Sequence, residues 1–411
     1  MSVSRPGPPP RMRLVVVTSV IHYRHQGGLY AYGPYAQKMG LWAGVFDEIV
    51  FAAPCRDAAP PGDCLPLPCP NTRIAPQPEI GGKTLKHKLA YLWWLPAMIW
   101  QLGSVLRAAD AILVRCPGNM GLLGAVLAPL FSRRLVARFA GQWVGFPGEP
   151  FTVALQRRIL ASWWWRGPVM VYGDWPNSPR HVVPTFASIL REKELRHAKW
   201  TSERKSFSAP VLNIVYVGRL SRQKKVHVIL EAIAQARLEG AIFHLTIIGD
   251  GPERDALGQL AIKLGLADAV RFTGGVSHAE VLAQLELADI LTLVSESEGW
   301  PKAIVEGMAF GLNCIGSNRG LMPQILAEGR GYVVAVDDSR ALSDTLRHIE
   351  ANRQVAMLTS QAAARWASQF SMEKLQKLIH DTLNEHWGLE LPFAPRSWLK
   401  NIASDQPSGS R

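Results

Sequence analysis

Two glutamates, Glu298 and Glu306, bracket the turn Glu298-Gly-Trp-Pro-Lys302 and are the side chains in this sequence best spaced for ligand chemistry. Gly299 permits a tight backbone turn, and Pro301 suits the first position of a helix, where its missing N–H costs nothing. That helix continues through Ile304, Val305 and Met308 and stops near Gly311. The apolar run Ile290–Val294 before the turn reads as a buried parallel strand. In doubly wound sheets ligands sit at the carboxyl ends of strands, against helix N-termini that favour anions, and a nucleoside diphosphate fits such a place. There Glu306 could accept from ribose hydroxyls, Glu298 could grip a sugar hydroxyl, and backbone N–H groups from Gly299 through Trp300 and Pro301 to Lys302 could face phosphates. Taken singly, either glutamate reads better as a solvated surface acid.

Cations stand at a matching position. Arg219 and Lys224 follow Gly218 in a strand-to-helix connection, and two cations beside a helix N-terminus would hold a diphosphate and stabilise it as a leaving group. No Asp-x-Asp occurs in the chain, so an acidic metal clamp has no obvious ligands and neither metal nor other cofactor is expected. Gly249-Asp-Gly251-Pro252 forms a similar loop. In the first half, Gly27-Gly28 between a strand and a helix could admit a phosphate to the backbone, although an ordinary turn reads as well. His22 and His25 are acceptor-side groups or plain surface histidines. Arg115, Arg138, Gly141 and Gln142 fall at strand ends, where site residues of α/β sheets gather. Cys55, Cys64, Cys69, Cys116 and Cys314 lack paired C-x-x-C spacing, and no histidine stands near the first three at zinc-ligand spacing. An odd number of cysteines fits a reducing cytosol.

These side chains need an alternating strand–helix frame. Leu14–Val20, Ile49–Ala53, Ala111–Arg115, Leu135–Phe139 and Val169–Tyr172 read as strands of a first parallel sheet, with a helix over Tyr35–Gly40 and a long loop over Pro54–Pro78. After the polar stretch Ser202–Ala209 the pattern restarts. Leu212–Val217, Phe243–Ile248, Val270–Thr273, Ile290–Val294, Asn313–Gly316 and Tyr332–Val336 are strands, with helices over Val226–Ala236, around Arg254 and over His278–Leu287. The expected fold is α/β, two doubly wound Rossmann-like domains facing across a cleft. Residues 1–205 would form an acceptor-side domain and 206–370 a donor-side domain. A helix within 371–390, with a periodic apolar face over Met372–Trp387, would dock back on the first domain, and 391–411 reads as a loose tail.

A chain of 411 residues exceeds one typical core, and 48% hydrophobic with 19% charged content excludes general disorder. The formal charge of +12 is unevenly spread: residues 1–205 hold 25 Lys+Arg against 11 Asp+Glu, and the remainder 20 against 22. The first half also holds ten of the fourteen tryptophans. A basic, Trp-rich half points to an anionic membrane surface. Nucleic acid is not expected as a partner, because the basic residues are scattered and no recognition motif accompanies them. Leu89–Leu106 is uncharged and carries Trp93, Trp94 and Trp100, but Pro96, Gln101 and Gly103 interrupt it. It reads as an interfacial or buried helix, with Lys83, Lys86 and Lys88 set to meet headgroups. Trp163-Trp164-Trp165-Arg166 is either a second membrane-facing edge or core packing. Met1–Arg13 is Pro-rich and basic before only a short apolar run, so no signal peptide is expected. The expected location is cytoplasmic, peripheral on the inner face of the cytoplasmic membrane.

The stretch Glu298-Gly-Trp-Pro-x-x-x-x-Glu306 resembles the E-x7-E motif of retaining family 4 glycosyltransferases of the GT-B fold. The resemblance runs from Gly218-Arg-Leu through Lys224, Gly249–Pro252 and Glu298–Glu306 to Gly320–Gln324. It implies transfer of a sugar from a nucleotide diphosphate donor, with retention at the anomeric carbon and no bound metal. Carried over, Arg219 and Lys224 hold the diphosphate, Glu306 the ribose and Glu298 the donor sugar, with Gly28 in a glycine-rich loop near the phosphates. Arg219, Lys224 and Glu298 would carry the catalysis. The acceptor would be a glycan or a polyprenyl-lipid-linked glycan, in surface polysaccharide or exopolysaccharide biosynthesis. Three positions depart from the family pattern. Lys225 stands where a glycine is usual, Arg319-Gly-Leu-Met-Pro323-Gln324 replaces Gly-Gly-x-Pro-Glu, and Ala140-Gly-Gln-Trp143 lies where a first-domain histidine is common. Transfer by front-side displacement, in which the leaving phosphate accepts the acceptor's proton, needs no separate base. The competing readings are a nucleotide-sugar epimerase on the same fold and a non-catalytic glycan- or membrane-binding scaffold.

Overall fold

The computed structural model describes residues 12–67, 71–79, 85–146 and 148–391, with backbone alone for 85–92. Cys69, Lys83 and the tail from Pro392 to Arg411 lie outside the described residues, as do the side chains of Lys86 and Lys88. The strands are β1 Arg13–Val17, β2 His22–His25, β3 Gly28–Tyr32, β4 Glu48–Ala53, β5 Cys55–Arg56, β6 Cys64–Pro66, β7 Thr72–Pro76, β8 Ala111–Cys116, β9 Leu135–Phe139, β10 Val169–Tyr172, β11 Val182–Thr185, β12 Leu212–Val217, β13 Phe243–Ile248, β14 Val270–Gly274, β15 Ile290–Leu293, β16 Asn313–Ser317 and β17 Tyr332–Val334. The helices are α1 Gly33–Ala43, α2 Leu85–Leu106, α3 Asn119–Leu127, α4 Phe151–Ala161, α5 Glu192–Arg204, α6 Val226–Leu238, α7 Arg254–Lys263, α8 His278–Leu287, α9 Lys302–Ala309, α10 Met322–Leu326, α11 Ser339–Ala351, α12 Arg353–Ala367 and α13 Met372–Trp387.

The chain divides into two compact units, Met1–Thr185 with Gln376–Arg411, and Phe186–Leu375. The division comes before the polar stretch 202–209, because α5 packs on α9 and α12 and so belongs with the second unit. The main sheet of the first unit has the order β7-β4-β1-β8-β9-β10-β11 with every pairing parallel. Its inner strands β1, β4, β8, β9 and β10 are largely apolar and buried, as parallel sheets covered by helices require, while the edge strands β7 and β11 are partly exposed. Val15, Val17, Ile112 and Val114 share one core with Met98, Leu102 and Leu106 of α2 and Leu123 of α3. From Gln376 onward α13 belongs to this unit: the Trp387 indole donates to the Leu135 carbonyl at 3.2 Å and its ring meets Phe46.

Two stretches of the first unit differ from expectation. Residues 22–32 are a β-hairpin, not a loop leading into a helix. β2 and β3 pair antiparallel around Gln26 and Gly27, both at positive φ, as a two-residue hairpin turn demands. Gly28 therefore opens β3 opposite His25 within a small sheet of order β5-β2-β3-β6. Pro54–Pro78 is also not loop throughout: β5 and β6 belong to the hairpin sheet, and β7 extends the main sheet by pairing with β4. No described helix is long and apolar enough to cross a membrane.

The sheet of the second unit is wholly parallel with the order β14-β13-β12-β15-β16-β17. Numbered from β12 this is 3-2-1-4-5-6, the doubly wound dinucleotide-fold order. The chain reverses direction across the sheet between β12 and β15, so the loops that follow these two adjacent strands leave side by side. α8 starts on a reciprocal cap, with Ser277 Oγ accepting from the Glu280 N–H and Glu280 accepting from the Ser277 N–H.

Candidate functional site

The two loops at that reversal carry the expected donor-site residues. The β12 loop brings Arg219 and Lys224, and the β15 loop brings Glu298, seventy-four residues beyond Lys224. Lys224 and Glu298 form an ion pair, both largely buried. Ser295 Oγ donates to the same carboxylate oxygen at 2.8 Å, and Ser317 Oγ donates to the Ser295 carbonyl at 2.6 Å. A backbone bond from Glu296 N to the Gln223 carbonyl, 2.9 Å, ties the loops together. Glu298 is thus held directly by two side chains, Lys224 from the β12 loop and Ser295 from its own loop, with Oε2 left as an acceptor. Arg219 is exposed, and its carbonyl accepts from the Tyr216 hydroxyl at 3.1 Å. Burial and the Glu298 charge push that phenol up.

Glycines set how closely the loops approach. A Cβ on Gly249, which has φ +137°, would lie 2.0 Å from the Gly218 carbonyl oxygen, and one on Gly320, at φ +60°, would lie 2.3 Å from that of Glu298. A Cβ on Gly251 would likewise meet the Leu220 carbonyl oxygen. Gly249 and Gly251 therefore seat the β13 loop against the β12 loop behind Arg219. Lys225, which replaces the family glycine, adopts the left-handed conformation that glycine enters freely, φ +52°. Its ammonium is held by Glu296 at 2.8 Å and Asp337 at 3.0 Å.

The turn at Gly299–Lys302 leads into α9, and no side chain caps the first turn of that helix. Trp300 does not stand alone as a ligand-facing ring. It packs among Phe186, Trp366 and Phe370, with centroids 5.3 Å from Phe370 and 6.5 Å from a stacked Trp366. The indole anchors the turn that Pro301 continues.

Glu306 is buried at 5% exposure, against the reading of a solvated acid. Its Oε1 lies 3.9 Å from His278 Nε2, too far for a hydrogen bond, and both atoms are buried without one. Burial pushes the carboxyl up to about 7, with Glu194 adding to the rise and Lys302 opposing it. Burial pulls His278 down from the usual imidazole range. A buried carboxylate lacking a donor is costly, and ribose hydroxyls are donors of the right kind. His278 and Glu194 escaped sequence reading because nothing in their local spacing ties them to Glu306. Ser295 stood in view, three residues before Glu298, the spacing at which a serine reaches a following glutamate.

On the first unit, Gly28 sits in the hairpin, where an added Cβ would meet the Tyr30 ring. His22 is buried, not a surface residue: its Nδ1 bonds the Val20 carbonyl at 2.9 Å, and burial holds it down at about 4. Arg115 and Arg138 lie at the ends of adjacent strands, beside Tyr35 and Tyr172.

With this geometry in hand, residues 200–366, a stretch that lies within the second unit, match the family model of glycosyl transferases group 1. Among curated relatives, the chain is 34% identical over 145 residues to a putative colanic acid biosynthesis glycosyltransferase of Escherichia coli, covering 34% of this chain and 36% of the relative. It is 30% identical over 181 residues to an amylovoran biosynthesis glycosyltransferase of Erwinia amylovora, covering 42% and 44%. The chain thus spans about two-fifths of the length of these relatives. A solved structure of HepE from Anabaena in complex with UDP and glucose matches 91% of this chain and all of its own, at a TM-score of 0.63 and 16% identity. That likeness gives the fold, GT-B, with both units built as doubly wound sheets.

Proposed function

We propose that this protein is a retaining glycosyltransferase that moves a sugar from a nucleotide diphosphate-sugar to a glycan or polyprenyl-lipid-linked acceptor in surface polysaccharide biosynthesis. The observation that carries the reading is the convergence, at the sheet reversal, of Lys224 with Glu298 and, one helix further, of the buried Glu306. Arg219 and Lys224 supply positive charge where the departing diphosphate gains negative charge, which stabilises the transition state more than the bound donor. Oε2 of Glu298 takes a hydroxyl of the donor sugar, and Glu306 takes the ribose. The absence of Asp-x-Asp supports leaving-group stabilisation by these cations without a metal. The similarity to colanic acid and amylovoran biosynthesis glycosyltransferases supports the pathway class.

A peripheral site on the inner face of the cytoplasmic membrane belongs to the same proposal. α2 buries Met98, Leu102 and Leu106 and turns Trp93 and Trp100 outward, at 84% and 76% exposure. Trp163 is exposed while Trp165 is core, so that run is split between the two roles. Exposed tryptophans on a strongly basic half suit an anionic lipid interface.

The test is release of nucleoside diphosphate from a panel of nucleotide sugars, with and without chelator, and the anomeric form of the product. Lys224→Ala is expected to lower transfer by about a hundredfold or more, the scale of removing one preorganised charge donor. Wild-type transfer by Glu306→Ala would overturn the assignment, and an epimerised sugar nucleotide in the absence of acceptor would favour the epimerase.

A further inference from the structure

The first unit holds a group of cations that the donor site does not use. Arg115 on β8 and Arg138 on β9 stand directly opposite each other in the strand register, at the carboxyl ends of their strands. Like charges opposite one another destabilise a sheet, and ligands of such sheets bind at this end. Arg138 is only 2% exposed; its guanidinium lies 5.1 Å from the centre of the Tyr172 ring and donates to the Tyr172 hydroxyl at 3.4 Å. Lys38 on α1 reaches the same hydroxyl, also at 3.4 Å. The Arg115 guanidinium stacks 4.7 Å over Tyr35, and its Nη1 is buried without a hydrogen bond. An arginine N–H buried without an acceptor is costly, and guanidinium forks and an ammonium are the donors that phosphoryl oxygens take.

We propose that Lys38, Arg115 and Arg138 form a phosphoryl-binding site on the first unit that takes the phosphate or diphosphate group of the acceptor. The proposal rests on the glycosyl-transfer reading for the word acceptor, but not for the anion. The electrostatics agree with the geometry. Burial alone pushes the Tyr172 phenol up, yet Lys38, Arg138 and Arg115 outweigh it and bring it down to about 6. These three cations make the potential at that oxygen positive, which favours the charged form of the phenol. His22, held at about 4 beside Arg115, is neutral at physiological pH and adds no charge. A second anion arriving among the cations would raise the phenol again, because it competes for the same charges.

The experiment titrates inorganic phosphate and pyrophosphate by calorimetry into the full chain with the donor site already filled by saturating uridine diphosphate, and separately titrates uridine diphosphate alone, for wild type, Lys38→Met and Arg115→Met. Pyrophosphate affinity is expected to fall by about tenfold or more in each variant, the scale of one charge-assisted hydrogen bond, while uridine diphosphate affinity holds. Equal loss of both ligands would mean that the cluster serves the donor's diphosphate, and would overturn the proposal. Pyrophosphate binding that survives both substitutions, or that is absent from wild type, would overturn it too. Lys38 is a partly exposed helix residue, so its variant keeps the test open if Arg115→Met fails to fold. The tyrosinate ultraviolet band at neutral pH locates the event: pyrophosphate is expected to diminish it and Tyr172→Phe to abolish it. A band indifferent to pyrophosphate would place the anion elsewhere and refute the site. Failure of the transferase reading is distinguished by loss of uridine diphosphate binding with the pyrophosphate results intact.

Discussion

Replacing Glu306 with glutamine is expected to stabilise this protein as pH rises while weakening its hold on the nucleotide. In the folded chain burial lifts the Glu306 carboxyl from an ordinary 4.5 to about 7. The folded state therefore keeps a proton that the unfolded state has released, and stability contributed by this group falls as pH rises from 4.5 to about 7, then stays level. That gap, at about 1.4 kcal/mol per pH unit, gives a cost on the order of 3 kcal/mol above neutrality. Glutamine keeps the shape and carries no proton to lose. His278 shifts the opposite way, since burial lowers it and its contribution grows as pH rises toward its unfolded value, but it is present in both proteins and its effect largely cancels in the difference. Urea unfolding of both proteins from about pH 5 to about pH 8 measures the difference directly. The advantage of Glu306→Gln should widen by roughly 3 kcal/mol across that range, and a nucleoside diphosphate should stabilise wild type more than the variant. Parallel stability–pH curves would refute the buried, unpaired carboxylate and with it the physical case for Glu306 as a ligand.

Gly320→Ala forces a side chain toward the Glu298 carbonyl at a positive φ; it should cost about 1–3 kcal/mol in unfolding experiments and weaken nucleotide binding by displacing Glu298. Trp300→Ala removes the ring that Phe186, Trp366 and Phe370 pack around; a loss of about 3 kcal/mol is expected, with donor affinity falling as the turn loosens and Trp300→Phe recovering most of it. Trp93→Ser with Trp100→Ser, both on the exposed face of α2, should reduce sedimentation with anionic vesicles and leave the melting temperature unchanged; equal binding to neutral vesicles by wild type would count against the electrostatic part of that surface.

The particular residues divide according to what local spacing can express. Glu298, Pro301 and Glu306 were legible because a strand, a glycine turn and a helix start follow one another in a single stretch. Lys225 departs from the family pattern, and the structure supplies what holds it there: a left-handed backbone, with the ammonium paired to Glu296 and Asp337. The hairpin at 22–32 carried a signal, two residues of turn between alternating segments, but Gln26 is an unusual occupant of a positive-φ position and the glycines drew attention to a phosphate loop. β7 and β11 each contain a proline, Pro76 and Pro184, which weakens the local strand signal, and both lie at sheet edges, where proline is tolerated.

Sequence by itself determined the alternation of strands and helices, the spacing of the two glutamates, the cations after β12 and the uneven spread of charge, since each is a property of neighbours along the chain. Only the tertiary structure decided that Lys224 meets Glu298, that Glu306 is buried beside His278, and that Arg115 faces Arg138. These contacts join segments distant in sequence, and they exist because strand order brings β12 beside β15 and β8 beside β9. Periodicity records which face of an element is buried, but it carries no information about which neighbour lies across that face.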